Sequence, residues 1–510
     1  MRTVESRASQ TAVVMGSERL TYGELETRSN QLARLLQARG VQRGDRVCLL
    51  QAKTPAAIIS MLATLKAGAI YVPIDIASPP ARVNKILAAA APKLLLAAAE
   101  ATSLLAETRS GAAVVSVAGS LEGAQSRPEN VEAYGDAPLP SVTGPADPAH
   151  ILFTSGSTGT PKGVVITHEM VGAFLDWALP YFGHQAGDRI SGHPPLHFDL
   201  STFDIYGSLS AGAELHLVPQ DVLLPHQIAS FIRDSRLTQW FSVPSTFAYM
   251  MRADAIAEGD FPTLKRVIWC GEVLPGAVLA HWMRRVPHCT YTNLYGPTET
   301  TIASSYFRVP EIPEDPATAV PIGSPCAGEE IYVLDEALQA VPPGEIGELY
   351  IAGAGLSPGY WRDPEKTHAA FATDPTSGRR LYRTGDLGRR DENGLLHFVG
   401  RADSQIKSRG YRIELGEIET ALTAVPGVAE CAVVGVASES FEGTSICAAW
   451  ASRAGTKLDR VQLRASLAQT LPAYMLPTRW LQLAELPKNA NGKIDRPALR
   501  GRFATKSPHG

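Results

Sequence analysis

The chain has 510 residues, enough for about two to four folded units and a large core that needs no disulfide staples. Hydrophobic residues make up 45% and charged residues 19%, the mix of a globular protein. With 47 Lys and Arg against 51 Asp and Glu the net charge is -4, which excludes a basic nucleic-acid binder and an acidic disordered tail.

The N-terminus carries acids and polar residues where a signal peptide needs an apolar stretch. Tyr22 to Arg39 repeats Leu25, Leu32, Leu35 and Leu36 at helical spacing, and Thr21 with Glu24 forms a capping-box signal. Arg46 to Leu50 reads as a strand, Pro55 to Ala67 as a helix ending at Gly68, and Ala69 to Ile74 as a strand. The Ala/Leu-rich stretch Ile86 to Leu105 is broken by Pro92, Lys93 and Glu100. It falls short of the roughly 18 uninterrupted apolar residues of a membrane span, and reads as a buried helix and a strand. Such alternation predicts a parallel α/β sheet with helices on its faces. Ser120 to Asp147, rich in Pro, Gly and acids, reads as a surface loop before a strand at His150 to Thr154. From about Pro310 the pattern changes to short strands with Gly and Pro turns. After Gly400 it changes again: a helix at Glu417 to Leu422, strands at Val428 to Val436 and Thr444 to Ala451, and a helix at Leu458 to Leu471. These predict a large α/β domain with a small β subdomain over 1–402, then a small α+β domain over 403–510. The six Cys show no C-x-x-C spacing, which argues against zinc ribbons and fits a reduced, cytoplasmic setting.

Five segments carry chemistry. Thr154-Ser-Gly-Ser-Thr-Gly-Thr-Pro-Lys-Gly163 packs three glycines, five hydroxyls and one Lys into ten residues after a strand. Freed backbone N–H groups and hydroxyls make an anion cradle, and Lys162 adds a point charge. It is not a Walker A loop, because Pro161 precedes the Lys and a strand follows. A Gly/Ser-rich run is ordinarily a linker; Lys162, Pro161 and the flanking strands weigh against that here. In Asn293-Leu-Tyr-Gly-Pro-Thr-Glu-Thr-Thr301 a Gly-Pro turn presents Thr298 and Glu299, either as a Mg²⁺ ligand or as an ordinary capped turn. In Tyr382-Arg-Thr-Gly-Asp386 an Asp on a turn can accept both hydroxyls of a ribose. The basic run Lys407, Arg409, Arg412 after Gly400-Arg-Ala-Asp reads equally as a solvated face. In Pro487-Lys-Asn-Ala-Asn-Gly-Lys-Ile-Asp495 an Asn-Gly turn presents Lys493 on a tip, where a lysine is more often just solvent exposed. Gly355-Leu-Ser-Pro-Gly359 matches G-x-S-x-G, but a loop follows it where a nucleophile elbow needs a helix.

Together these segments resemble the adenylate-forming enzymes: acyl-CoA synthetases, firefly luciferase and the adenylation domains of nonribosomal peptide synthetases. The resemblance runs from LTYGEL at Leu20 through LKAGAIYVPID at Leu65 to NGKID at Asn491. HFDLSTFDIYGSL, with Asp199 after Phe198, is spelled most like amino-acid adenylation domains. Gly355-Leu-Ser-Pro departs from the more usual Ala-Arg or Ser-Arg before Gly-Tyr.

The resemblance implies ATP-dependent formation of aminoacyl-AMP, then transfer to the phosphopantetheine thiol of a separate carrier protein in natural-product biosynthesis. It implies ATP and Mg²⁺, an amino acid and a stand-alone carrier as partners, and neither nucleic acid nor membrane. Thr154, Ser155, Gly156, Ser157, Thr158, Gly159 and Lys162 would hold phosphates. Tyr295 would stack on adenine among Gly271, Glu272, Asn293, Gly296 and Phe398. Asp386 with Arg401 would hold the ribose. Glu299 would ligate Mg²⁺ beside Thr298, and Lys493 would act at the reacting carboxylate and α-phosphate. Asp199 would pair with the substrate ammonium, with Leu200, Phe203, Ser245, Ile268, Cys270, Leu294, Ile302 and Ala303 lining the pocket. Asp403 would be the hinge of a rotating small domain, and Gly410 would line the thiol tunnel. Expected substrates are alanine first, then glycine, serine, cysteine or proline. The alternatives are a D-alanyl-carrier protein ligase and an acyl-CoA synthetase using free coenzyme A, the latter disfavoured by Asp199.

Overall fold

The structure, a computed structural model, describes residues 6–118, 130–156, 159–313, 315, 319–437, 444–489 and 492–504. The chain divides into two compact units. The first comprises Met1–Ile76, Leu87–Phe153 and Gly163–Ala402; the second comprises Ala77–Ile86, Thr154–Lys162 and Asp403–Gly510.

The centre of the first unit is a nine-stranded sheet. Six consecutive strands in it run parallel: Thr290–Tyr295, Arg266–Cys270, Gln239–Ser242, Arg189–Gly192, Glu214–Leu217 and Thr11–Met15. Antiparallel strands close both edges, Ser305–Val309 and then Ser324–Pro325 on one side and Glu18–Thr21 on the other. The strand Arg266–Cys270 reads RVIWC and is buried throughout, as expected of a strand covered on both faces. A six-stranded sheet runs Ala113–Ala118, Leu94–Ala98, Arg46–Leu50, Ile70–Pro73, Pro148–Thr154 and Lys162–Thr167. A five-stranded antiparallel sheet spans 329–401 and accounts for the change of texture after Pro310.

The second unit contains the hairpin Gln405–Ser408 and Tyr411–Glu414. A three-stranded sheet follows, Val428–Ala437, Thr444–Ser452 and Arg479–Gln482, with the helices Leu415–Thr423, Arg460–Ala468 and Arg496–Ala504. The α/β and α+β architectures are those the sequence predicts. Helix Tyr22–Ala38 starts at a complete capping box: Thr21 Oγ1 accepts from the Glu24 amide at 3.1 Å, and the Glu24 carboxylate accepts from the Thr21 amide at 2.8 Å. The helix expected over Leu458 to Leu471 is shorter, because Asp459 caps its start through the Val461 and Gln462 amides. No helix among the described residues is long and apolar enough to cross a membrane.

Candidate functional site

Four neighbouring parallel strands of the large sheet end at one edge, where ligands bind in open α/β sheets. Arg189–Gly192 leads to Asp199, Gln239–Ser242 to Ser245, Arg266–Cys270 to Gly271 and Glu272, and Thr290–Tyr295 to Gly296 and Glu299. Leu200, Phe203, Ile268, Cys270, Leu294, Ile302 and Ala303 fall in one buried apolar cluster with Phe174 and Phe241. Phe203 is fully buried and stacks on His184 at 5.3 Å. Asp199 is 9% exposed and precedes the helical turn Leu200–Thr202, to which its side chain gives no capping bond. The Glu272 carboxylate accepts from the Ser245 amide at 3.0 Å, at the start of helix Pro244–Arg252.

Glu299 is fully buried on the turn Thr298–Thr300, and the Tyr360 hydroxyl donates to its Oε1 at 2.7 Å. A side chain on Gly296 would put its Cβ 2.6 Å from Ala303 Cα and 2.7 Å from the Ser304 amide, so only glycine fits. Thr301 and Ile302 follow at φ of 58° and 70°. Two β-branched residues in the left-handed region are strained, and such strain clusters at functional sites.

Asp386 is buried with both oxygens engaged. Tyr295 donates its hydroxyl to Oδ2 at 2.7 Å, and Arg401 pairs with Oδ1. Burial, with the Asp386 charge beside it, pushes the Tyr295 phenol well above its ordinary value, so it stays a donor. Asn293 donates to the Pro321 carbonyl at 2.8 Å, and Phe398 packs on the cluster that contains Tyr295. Ser357 of the G-x-S-x-G match is fully buried and donates to the Val165 carbonyl at 2.7 Å, an internal tie.

In the second unit the loop after Thr154 is held by the backbone. Ser155 donates to the Arg412 carbonyl at 2.7 Å, and Lys85 donates to the Gly159 carbonyl at 2.8 Å. The buried Thr154 Oγ1 has no hydrogen-bond partner, and Lys162 is half-buried. Ser157 and Thr158 lie outside the described residues. Arg82 and Glu417 form a buried ion pair at 2.6 Å. Arg409 and Gly410, at φ of 53° and 79°, make the two-residue turn between the hairpin strands. Asp403 accepts from the Gln405 amide at 3.0 Å. Lys493 is exposed; its amide donates to Asn489 Oδ1 at 3.0 Å, and its carbonyl accepts from the Asn489 amide at 2.7 Å.

Among the described residues no group of three or more His, Cys, Asp or Glu gathers to hold a metal. A Mg²⁺ ion carried by substrate phosphates needs only one or two protein carboxylates, and the donor chemistry of Glu299 fits that. Tyr360 and Lys85 were not singled out from the sequence. Each acts on a residue dozens of positions away, and such a pairing leaves no local signal.

The family model for AMP-binding enzymes matches residues 1–361, and the model for the C-terminal domain of AMP-binding enzymes matches residues 417–493. The chain belongs to the AMP-binding enzyme family. It is 38% identical over 519 residues to an L-proline--[L-prolyl-carrier protein] ligase of Streptomyces coelicolor, covering 97% of this chain and 94% of that one. It is 35% identical over 499 residues to tyrocidine synthase 3 of Brevibacillus parabrevis, where it covers 97% of this chain but spans only 7% of that protein. Among solved structures it resembles the Vibrio cholerae adenylation domain AlmE in complex with glycyl-adenosine-5'-phosphate. The TM-score is 0.84 at 26% identity, over 99% of this chain and 97% of that one.

Proposed function

We propose that the chain activates a small, largely apolar amino acid with ATP and passes it to the phosphopantetheine thiol of a separate carrier protein. The observation that carries this reading is the apolar cluster at the ends of the four parallel strands, with the nearly buried Asp199 just before the turn Leu200–Thr202 and a second carboxylate, Asp386, locked by Tyr295 and Arg401. Similarity to the proline ligase over nearly its whole length supports a separate carrier and puts proline first among substrates, with alanine next. Glycine, serine and cysteine follow on size.

In the first half-reaction a carboxylate oxygen of the amino acid attacks the α-phosphorus in line. The bond from that phosphorus to the bridging oxygen breaks and pyrophosphate leaves. Such transfers depend on positioning and charge. Asp199 takes the ammonium, and the apolar cluster takes the side chain. Asp386 accepts from the ribose hydroxyls, while Tyr295 offers its ring to adenine. The Thr154–Lys162 loop holds phosphates. Glu299 would hold Mg²⁺, which would supply positive charge to those phosphates. Lys493 meets the charge that develops between carboxylate and α-phosphate. In the second half-reaction the thiolate sulfur attacks the acyl carbon, the bond to AMP breaks, and a thioester forms. Asp403 is the hinge of the change between halves, and Gly410 lines the path of the thiol.

The test is acyl transfer. Purified protein is given ATP, proline or alanine, and either a phosphopantetheinylated carrier protein or free coenzyme A, and products are read by mass spectrometry. Loading of the carrier is expected. Coenzyme A as an equally good acceptor would replace this reading with an acyl-CoA synthetase.

A further inference from the structure

A second cluster of buried charge lies in the first unit, apart from the groups assigned to the reaction. Lys53 follows the strand Arg46–Leu50 and comes just before helix Pro55–Lys66. Its side chain is buried, and Nζ donates to three backbone carbonyls: Gly192 at 2.5 Å, His193 at 2.5 Å and Pro194 at 3.4 Å. Three protons meet three acceptors, the full complement of an ammonium. Those carbonyls are where the chain leaves the strand Arg189–Gly192 and enters the loop that ends at Asp199.

Asp204 lies five residues beyond Asp199, on the short π-helical segment Phe203–Gly207. Such segments recur at functional sites. Asp204 is 1% exposed, and no hydrogen bond of sound geometry reaches either carboxylate oxygen. Burial disfavours its charge, and Lys53 and the nearby His193 amide oppose that through space. His193 is held between the Ser242 hydroxyl, 2.9 Å from Nδ1, and the Trp240 ring at 4.9 Å. The loop that carries Asp199 is therefore gripped at its start by Lys53, and the segment after it carries Asp204.

Burying a Lys and an Asp costs several kcal/mol, which apolar residues of the same size would avoid. We propose that Lys53 and Asp204 are a positioning pair that fixes the 192–199 loop and so sets the Asp199 carboxylate against the substrate ammonium. This rests on the reading of Asp199 as the ammonium partner. Burial pushes the Lys53 ammonium down to about 7, against the opposing pull of Asp204. Burial likewise lifts the Asp204 carboxyl well above the usual range. Burial and the Lys53 charge push His193 down to about 3, so its ring stays neutral. As pH rises through about 7, Lys53 sheds its proton and one of its three donors, and the grip on the loop loosens. The KM for the amino acid should rise with pH across that range while the KM for ATP stays flat.

The test is pyrophosphate exchange with Lys53→Met, Lys53→Arg, the double variant Lys53→Met/Asp204→Asn and, alongside, Asp199→Ala. Each is read at pH 6.5 and 8.5 together with its melting temperature. Lys53→Met should raise the KM for the amino acid about tenfold or more, leave the KM for ATP within about twofold, and lose the pH dependence. Lys53→Arg should restore most of the affinity. The double variant, which leaves no buried charge unpaired, should melt near wild type and still show the raised KM; it carries the test if Lys53→Met does not fold. A double variant with wild-type KM, or equal rises in both KM values, overturns the proposal. If Asp199→Ala raises the KM for the amino acid and the Lys53 variants do not, positioning fails and the Asp199 reading stands. If Asp199→Ala leaves it unchanged, the Asp199 reading fails and takes the proposal with it.

Discussion

Replacing Asp199 by Ala should sharply weaken amino-acid activation while leaving the fold intact. Asp199 is only 9% exposed, beside the fully buried Phe203, so an ammonium facing it would be largely desolvated. Removing one partner of such a pair costs about 2–5 kcal/mol. That loss is about a 30- to 5,000-fold fall in kcat/KM for the amino acid. The competing role, a structural cap on the turn Leu200–Thr202, is not supported, because the side chain makes no capping bond there. A lost cap would cost about 1 kcal/mol of stability. Melting should therefore shift by less than about 2 °C. The assay pairs thermal melting with pyrophosphate exchange, titrating the amino acid at saturating ATP and ATP binding separately. Asp199→Asn, which keeps shape and loses charge, should retain most of the defect. Normal activation by Asp199→Ala, or early melting with a matching loss of ATP binding, would refute the reasoning.

Lys493→Ala should slow adenylate formation by about 100- to 1,000-fold, by analogy with a lost transition-state donor, yet still load a carrier from pre-made aminoacyl-adenylate. Single-turnover measurement of each half-reaction checks both, and near wild-type exchange would remove Lys493 from the chemistry. Gly410→Asn should do the reverse, keeping exchange and blocking thiolation; Asn is the probe because the position sits at φ of 79°, which Asn tolerates better than other side chains. Gly296→Ala should destabilise the first unit by about 1–3 kcal/mol and depress exchange, since the neighbours its Cβ meets are backbone atoms of Ala303 and Ser304; unchanged melting and activity would contradict the close packing. Asp188, whose side chain is fully buried, pairs with Arg266 at 2.7 Å. Burial alone would raise its carboxyl, but Arg266, with Thr238 and Lys265, holds it below the usual value of 3.8. Because the folded pKa is the lower one, this contribution is fully present above about pH 4 and is lost as pH falls through the folded value. Asp188→Asn should cost about 3–5 kcal/mol at pH 7, with the deficit shrinking in acid; a deficit independent of pH would contradict the ion pair.

What the sequence disclosed was mostly local. The capping box at Thr21 and Glu24 and the strand Arg46–Leu50 follow from spacing, and both stand in the structure. The apolar lining positions taken from the resemblance meet in one cluster because they flank the ends of adjacent strands, a consequence of sheet order. Hydroxyl–carboxylate and ion-pair contacts over long separations were not legible. Tyr295 meets Asp386 across 91 residues, Tyr360 meets Glu299 across 61, and Arg82 meets Glu417 across 335. None of these partners differs in type from an ordinary surface or core residue, so only the folded geometry joins them. Lys53, read along the chain, is simply a polar residue before a helix. Its burial on three carbonyls shows only when the 192–194 backbone is brought to it.

Amino-acid-dependent exchange of radiolabelled pyrophosphate into ATP tests the central claim most directly. Run with all proteinogenic amino acids and a set of fatty and aryl acids, it should show strong exchange with proline or alanine, weaker exchange with glycine, serine or cysteine, and none with glutamate, lysine or tryptophan. Exchange driven by acids that lack an amino group, or by glutamate, lysine or tryptophan with none from the small amino acids, would contradict the account.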